Sequence, residues 1–485
     1  MSGCKHSIWR AVSVSAWADG NRSRSVTDST QTRWRARRFV SGARNRLLFL
    51  LTRLVLGVVM TAAMANAQTP TQYESQKLVA PDGAETFFGQ ALTVDAETML
   101  VGAPHDDGKG LKSGAVYVFT QSDFGEWMKT AKLSAADGTM FLIFGRSVAL
   151  DGDTALIGAK ESAYVFTRNG SGQWVQDSKL LPWDGAVANY FGEHVALDGD
   201  TAVISAVFDD ENGNNAGAVY VYSRDSGGDW FGDSKLLATD AATVEHQFGS
   251  CIALDGDTIL VSARDNDQGT AAGAVYVFTS NAAGEWTEQA KLIASDAEMF
   301  DGFGCGLALD GNTALIGSSN DDDNGWQSGA VYVFVRNAED GWAEDSKLLP
   351  DDGAWHDYFG RNIAIDGDTA VISGDEDDVN RIEPRAVYVF TRDNHDEWTE
   401  QAKLMGSDSL NEDYFGYALS LEGRTAVVSA PYDDDRLGAA YIFGMSSYIR
   451  PTEVEVDVKP YSVDNAINTR SRGRFWVAIL STDDL

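Results

Sequence analysis

Short runs of alternating apolar and polar residues fill most of this chain, and they recur in a fixed order. Between Phe144 and Leu180 the order can be read in full. Ser147-Val148-Ala149-Leu150 alternates and stops at Asp151-Gly152. Asp-Gly between two alternating runs is a strong hairpin signal, because both central turn residues take positive φ. Thr154-Ala155-Leu156-Ile157-Gly158 returns as a second strand. Ala163-Tyr164-Val165-Phe166, rich in β-branched and aromatic side chains, is a third, and Trp174 to Leu180 a fourth. The same order recurs with third strands such as Gly114-Ala115-Val116-Tyr117-Val118-Phe119 and Gly329-Ala330-Val331-Tyr332-Val333-Phe334. Four short antiparallel strands per unit is the pattern of a β-propeller blade, so the fold class is all-β.

A Phe-Gly pair at the head of each unit gives the count: Phe88-Gly89, Phe144-Gly145, Phe191-Gly192, Phe248-Gly249, Phe303-Gly304, Phe359-Gly360 and Phe415-Gly416. Successive pairs lie 55 to 57 residues apart, save one step of 47. Such a period marks a repeat architecture, in which each unit buries its apolar face against its neighbours. Seven units predict a seven-bladed ring. Lys-Leu marks each fourth strand, from Lys77-Leu78 to Lys403-Leu404. The first such pair precedes every Phe-Gly head, and the last unit ends at Tyr441-Ile442-Phe443 with no fourth strand. The segment around Gln76 to Val79 is therefore predicted to complete the seventh blade and cover its edge.

The order Phe88-Gly89, Val101-Gly102-Ala103-Pro104 and Gly114 to Phe119 resembles the FG-GAP repeat. That repeat builds the seven-bladed propeller of integrin α subunits and of many bacterial secreted proteins. The resemblance covers roughly residues 73–446, although blades 2 to 6 lack the proline. It implies a ligand-binding propeller whose ligand face carries the Phe-Gly connections. The integrin version also has an Asp-rich calcium loop between the first and second strands. Here that position holds only tight turns such as Asp151-Gly152 and Asp198-Gly199. So short a turn cannot supply the roughly six to eight oxygens calcium takes, and the family's calcium residues do not carry over.

Acid is concentrated instead between the second and third strands. The candidate residues are Asp106 and Asp107; Asp209 and Asp210; Asp265 and Asp267; Asn320, Asp321, Asp322, Asp323 and Asn324; Asp375 and Asp377; and Asp433, Asp434 and Asp435. Blade 2 has Ala159-Lys160-Glu161-Ser162 there, which explains its short step. Alternate loops of a propeller emerge on one face, so these loops are expected beside the Phe-Gly connections. Oxygen ligands at this spacing suit calcium. Asn320, Asp322, Asn324 and Gly325 match the opening of an EF-hand loop, but Val331 stands where its last glutamate belongs. The competing reading is that Asp, Asn and Gly are turn residues on a solvated rim. Single-blade outliers Trp326, Trp355 and His356, with Arg381 and Arg385 in blade 6, are candidate ligand-binding residues for a sugar or peptide. Trp183 is a further outlier.

The chain carries 38 basic and 72 acidic residues, a net charge of −34, and the excess acid lies beyond residue 67. Such a field disfavours nucleic acid. Residues 1–67 read as an N-terminal extension and signal peptide: arginines up to Arg53 precede an apolar run from Leu54 to Met64, with Ala65-Asn66-Ala67 as a cleavage pattern. Translation starting near Val40 is part of that expectation. No membrane span is expected after cleavage, because Arg53 interrupts the apolar run. Cys251 and Cys305 sit out of phase on adjacent inner strands and are expected to stay reduced. No Gly-x-Ser-x-Gly or His-Glu-x-x-His occurs. Residues 447–485 read as a partial C-terminal β module, either truncated or a hairpin docked on the propeller. The sequence thus predicts an exported, non-enzymatic binding or adhesion propeller for a protein or glycan ligand, working through its acidic loop face with calcium as a candidate cofactor. A polysaccharide-active enzyme and an envelope scaffold are the alternatives.

Overall fold

A computed structural model describes residues 69–446 and 448, apart from 82–84, 187–188, 241–245, 265–271, 338–340 and 376–384. The expected signal segment, the C-terminal module except Tyr448, and the candidates Asp265, Asp267, Asp377 and Arg381 lie outside the described residues. The structure is a ring of seven sheets, six of four strands and one of five. Blade 1 shows the order: Leu92–Asp95, Thr98–Ala103, Ala115–Gln121 and Trp127–Leu133, antiparallel throughout. First strands from all seven blades, through residues such as Leu92, Val148, Val195, Leu254, Ala308, Ala364 and Leu419, line an axial cavity of about 280 Å³.

The core lies between blades. Its buried clusters each draw on two neighbours, as where Val116 and Val118 of blade 1 join Phe144, Ile157 and Tyr164 of blade 2. The Phe of each head is fully or almost fully buried and meets two aromatic rings of its own third strand, as in Phe88 with Tyr117 at 5.6 Å and Phe119 at 6.0 Å. The glycine ahead of the third strand lets the next blade approach. At Gly114, with φ +82°, a Cβ would stand 2.1 Å from the Phe144 carbonyl oxygen.

The predicted closure is present, with one addition. Strand β1 (Thr71–Tyr73) and strand β2 (Gln76–Val79) both precede blade 1. As expected, β2 pairs antiparallel with Ala439–Gly444, placing Leu78 against Ala440. Unexpectedly, β1 adds a parallel fifth strand to blade 6, with Thr71 opposite Lys403. The N-terminal segment therefore straddles the junction of blades 6 and 7. Blade 2 replaces its loop with a tight hairpin in which Ala159 pairs Ser162, as its short step implies.

On the face opposite the Phe-Gly heads, each first-hairpin aspartate accepts the N–H of the next blade's turn glycine. Asp95 takes Gly152 at 2.5 Å, Asp151 takes Gly199 at 2.6 Å, and the series runs on to Asp366 with Gly423 at 2.6 Å. Blade 7 has Glu422 in that place. Burial, then the charges of Asp366, Asp95 and Asp310, push its carboxyl up to about 7. A carboxyl whose folded pKa is raised costs stability above its unfolded value, and the cost is complete above the folded one. Glu422→Gln is thus expected to raise the melting temperature near pH 8 and leave it unchanged near pH 4. The gain is about 1 kcal/mol, because Glu422 is exposed enough for solvent to screen it. Thermal melts of both proteins across this range check it, and equal shifts at the two ends would show that charge is not the cause.

Candidate functional site

The loops between second and third strands do share a face with the Phe-Gly connections. Backbone bonds join them directly, as from His105 to Thr86 at 3.2 Å and from Asn320 to Asp301 at 3.0 Å. Their first acids, however, turn inward. Asp106, Asp209, Asp321 and Asp433 are all buried. In blade 5, Asp321 accepts the Tyr332 hydroxyl at 2.8 Å and pairs with the Lys347 ammonium at 2.9 Å. Blades 1, 3 and 7 repeat this arrangement with Lys132, Lys235 and Lys77. Each lysine is the one in the Lys-Leu pair, and in every blade it lies 4.8–5.1 Å from the centroid of its third-strand tyrosine.

A second aspartate, from the preceding connection, completes the cluster. Asp296 binds Tyr332 and Lys347 at 2.5 and 2.9 Å, and Asp408 binds Tyr441 and Lys77 at 3.0 and 2.8 Å. Burial opposes ionisation of Asp408, yet the Lys77 and Tyr441 bonds hold its carboxyl below the usual range. Among the described residues such clusters tie a connection to the blade that follows it, and in blades 1, 3, 5 and 7 the ammonium stands beside a candidate loop aspartate.

The remaining loop acids shape the backbone. Asp107, Asp210 and Asp322 each accept the N–H five residues on, at 2.7, 2.8 and 2.6 Å. The Asn320 and Asn324 amides reach away to the carbonyls of Phe300 and Pro350. Asp323 pairs with Lys347 at 2.6 Å, while Asp434 and Asp435 adopt positive φ on the blade 7 loop. The EF-hand-like set in blade 5 is therefore not drawn to one point. Among the described residues no group of three or more His, Cys, Asp or Glu is placed to hold a metal ion.

What the face does display is aromatic and guanidinium. Trp326 meets His356 at 4.7 Å, and His356 meets Tyr358 at 5.9 Å between ring centroids. Arg361 lies 5.5 Å over Tyr358 and 3.6 Å from Asp375. Asp375 holds Arg385 at 2.5 Å, and Arg385 stacks 4.0 Å over Tyr414. Tyr414 meets Tyr432 at 4.7 Å, Tyr432 meets Phe87 at 5.1 Å, and Arg436 lies 5.9 Å over Phe87. One unbroken belt thus crosses blades 5, 6, 7 and 1. Trp355 packs on Gly325 beside Trp326, and both indoles are more than half exposed.

The residue after each Phe-Gly head varies from blade to blade: Gln90, Arg146, Glu193, Ser250, Cys305, Arg361 and Tyr417. Gln90 donates to the Tyr417 hydroxyl at 2.5 Å, and Arg146 pairs with Glu193. Burial pushes the Glu193 carboxyl up despite Arg146. Next to Glu193, burial and then Arg146 and Arg264 lower His194 to about 4, so the ring is neutral near pH 7. Cys251 and Cys305 are free thiols, and the Cys251 thiol points to the Cys305 carbonyl at 3.3 Å.

A family model described as FG-GAP repeat matches seven segments: residues 73–119, 127–172, 174–222, 228–278, 286–334, 342–390 and 398–443. The chain belongs to the FG-GAP repeat family. No curated protein matches it. The FG-GAP ring is similar to a crystal structure of a protein from Lactobacillus plantarum, with 15% identity, a TM-score of 0.45, and coverage of 66% of this chain and 86% of that one. Nothing about function follows from a likeness at that level.

Of the predicted ligand residues, the FG-GAP fold brings Trp326, Trp355 and His356 into one patch and joins Arg385 to it through Asp375, Arg361 and Tyr358. Trp183 instead caps the packing of its own neighbourhood, 4.9 Å from Tyr220 and 5.0 Å from Tyr222. Sequence reasoning missed Arg361, Tyr358, Tyr414, Tyr432 and Phe87. Phe87, Tyr358 and Tyr414 all stand one residue before a Phe-Gly head, with φ of 53°, 46° and 58°. That shared position was the available signal.

Proposed function

We propose that this FG-GAP propeller is an exported, non-enzymatic binding protein that holds a protein or glycan on its Phe-Gly face. The observation that supports this reading is the belt from Trp326 to Phe87. It is an irregular set of exposed and half-buried rings and arginines mounted on a frame whose other parts repeat. Contiguous exposed aromatic surface with a polar rim marks an interaction site. The reading needs no resident calcium, because lysine ammoniums occupy the buried loop carboxylates of the described blades.

The test is a glycan and protein array probed with the full chain, with and without calcium. The double variant Trp326→Ala, Trp355→Ala is expected to lose at least about 10-fold in affinity for whatever is bound. Phe124→Ser, which changes a 93% exposed residue in the turn between the third and fourth strands at the opposite end of the blade, is expected to bind as the parent does. Equal binding by all three proteins would place the ligand elsewhere, and binding only in calcium would overturn the metal-free part.

A further inference from the structure

The distribution of arginine narrows the ligand class, given that the binding reading above holds. Ten arginines fall among the described residues. Four of them, Arg168, Arg224, Arg336 and Arg392, end third strands, and each bonds a threonine of the preceding blade, as Arg168 does Thr98 at 3.2 Å. Each also reaches an aspartate of a first-hairpin turn, as Arg224 does Asp200 at 2.7 Å. These belong to the repeating frame on the face opposite the heads. Arg424 stands in the last such turn. The other five, Arg146, Arg264, Arg361, Arg385 and Arg436, are all on the Phe-Gly side. Arg264 is close enough to His194 to depress it.

Among the described residues of a chain of net charge −34, five of the six arginines outside the repeating set therefore lie on one face, three of them over rings of the belt. Asp375 is shared between Arg361 and Arg385, Glu193 pairs with Arg146, and Asp433 to Asp435 adjoin Arg436. Guanidinium presents a planar fork that matches carboxylate and other oxyanions, and a lysine point charge does not. An exposed indole or phenol ring offers a flat apolar face edged by polar groups, which suits the C–H face of a sugar ring. The two chemistries alternate along the belt, from Trp326 through Arg361 and Arg385 to Phe87.

We infer that the ligand is an acidic polysaccharide, laid along the belt with sugar rings on the aromatics and an anionic group at the half-exposed Arg361. Carboxylate and sulfate share the recognising chemistry. Elsewhere the acidic surface repels such a polymer, so binding is confined to this strip and weakens with salt.

Isothermal titration of the full chain separates the possibilities. The probes are an oligogalacturonate, a sulfated galactan, a neutral dextran and polyglutamate, each at low and high salt. One or both anionic glycans are expected to bind at least about 10-fold tighter than dextran and polyglutamate, with affinity falling as salt rises. The tighter of the two identifies the anion. Arg361→Gln and Trp326→Ala are each expected to cost about 10-fold, and Arg361→Lys is expected to recover part of the loss. Melting temperatures show whether each variant is folded. If Arg361→Gln does not fold, Trp326→Phe, expected to bind more weakly than the parent but better than the alanine variant, takes its place. Binding of dextran or polyglutamate as tight as that of the anionic glycans would overturn the inference, as would no binding of either anionic glycan. A different ligand on the array, lost with Trp326, would sink this inference and leave the binding reading standing.

Discussion

Removing residues 68–80 is expected to open the ring. The deletion takes away β2, and with it the pairing of Gln76 to Val79 with Ala439–Ile442 and the buried Leu78. It also removes Lys77, leaving Asp433 buried at 3% exposure without the ammonium 2.9 Å away. An uncompensated buried charge alone costs about 3–5 kcal/mol. Lost ladder bonds and the exposed Leu78 add about 1 kcal/mol per bond and about 2 kcal/mol. The total rivals the roughly 5–15 kcal/mol that holds a typical domain. Loss of cooperative unfolding, or a melting temperature lower by tens of degrees, is the expected result in a thermal melt. A sharp transition at the parent temperature would mean that the blades, and not the closing strand, hold the ring.

Gly114→Ala is the second large effect. The residue sits at φ +82°, and a Cβ there would press to 2.1 Å on the carbonyl oxygen and 2.4 Å on the nitrogen of Phe144, both backbone atoms. Neither can move without shifting the next blade. The substitution is expected to cost about 3–4 kcal/mol, from overpacking and left-handed strain together. Gly152→Ala is the control. It sits at φ +55° in an open turn where an added Cβ meets nothing within 4 Å, so it is expected to cost only about 1 kcal/mol. Urea titrations of the pair measure the difference. Equal costs would show that blade contact at Gly114 is looser than its geometry implies.

Blades, their number and the completing strand were legible because each depends on local chemistry repeated in phase. Alternation sets strands, Asp-Gly sets hairpins, and the offset between Lys77-Leu78 and Tyr441-Ile442-Phe443 sets closure. The parallel β1 was not legible, since Thr71-Gln72-Tyr73 is too short to carry a pattern and its partner lies more than 300 residues away. The loop acids were found, but the company they keep was not legible. Their spacing suits a metal as well as it suits a turn, and nothing local shows that Asp321 turns inward to Lys347.

The clue was present in the chain: an aspartate stands five residues after each lysine of the Lys-Leu pairs, as at Asp137, Asp184, Asp240, Asp296, Asp352 and Asp408. Its meaning needs the ring, because curvature brings each of these to the tyrosine and lysine of the following blade. Lys77 meets Asp408 across 331 positions only by going around the circle. The candidate site divides in the same way. Trp326, Trp355, His356 and Arg385 stood out as departures from the repeat. That they join Arg361, Tyr414, Tyr432 and Phe87 in one belt was decided by tertiary structure, since closure lays blades 5, 6, 7 and 1 side by side and a linear period records only position within a blade.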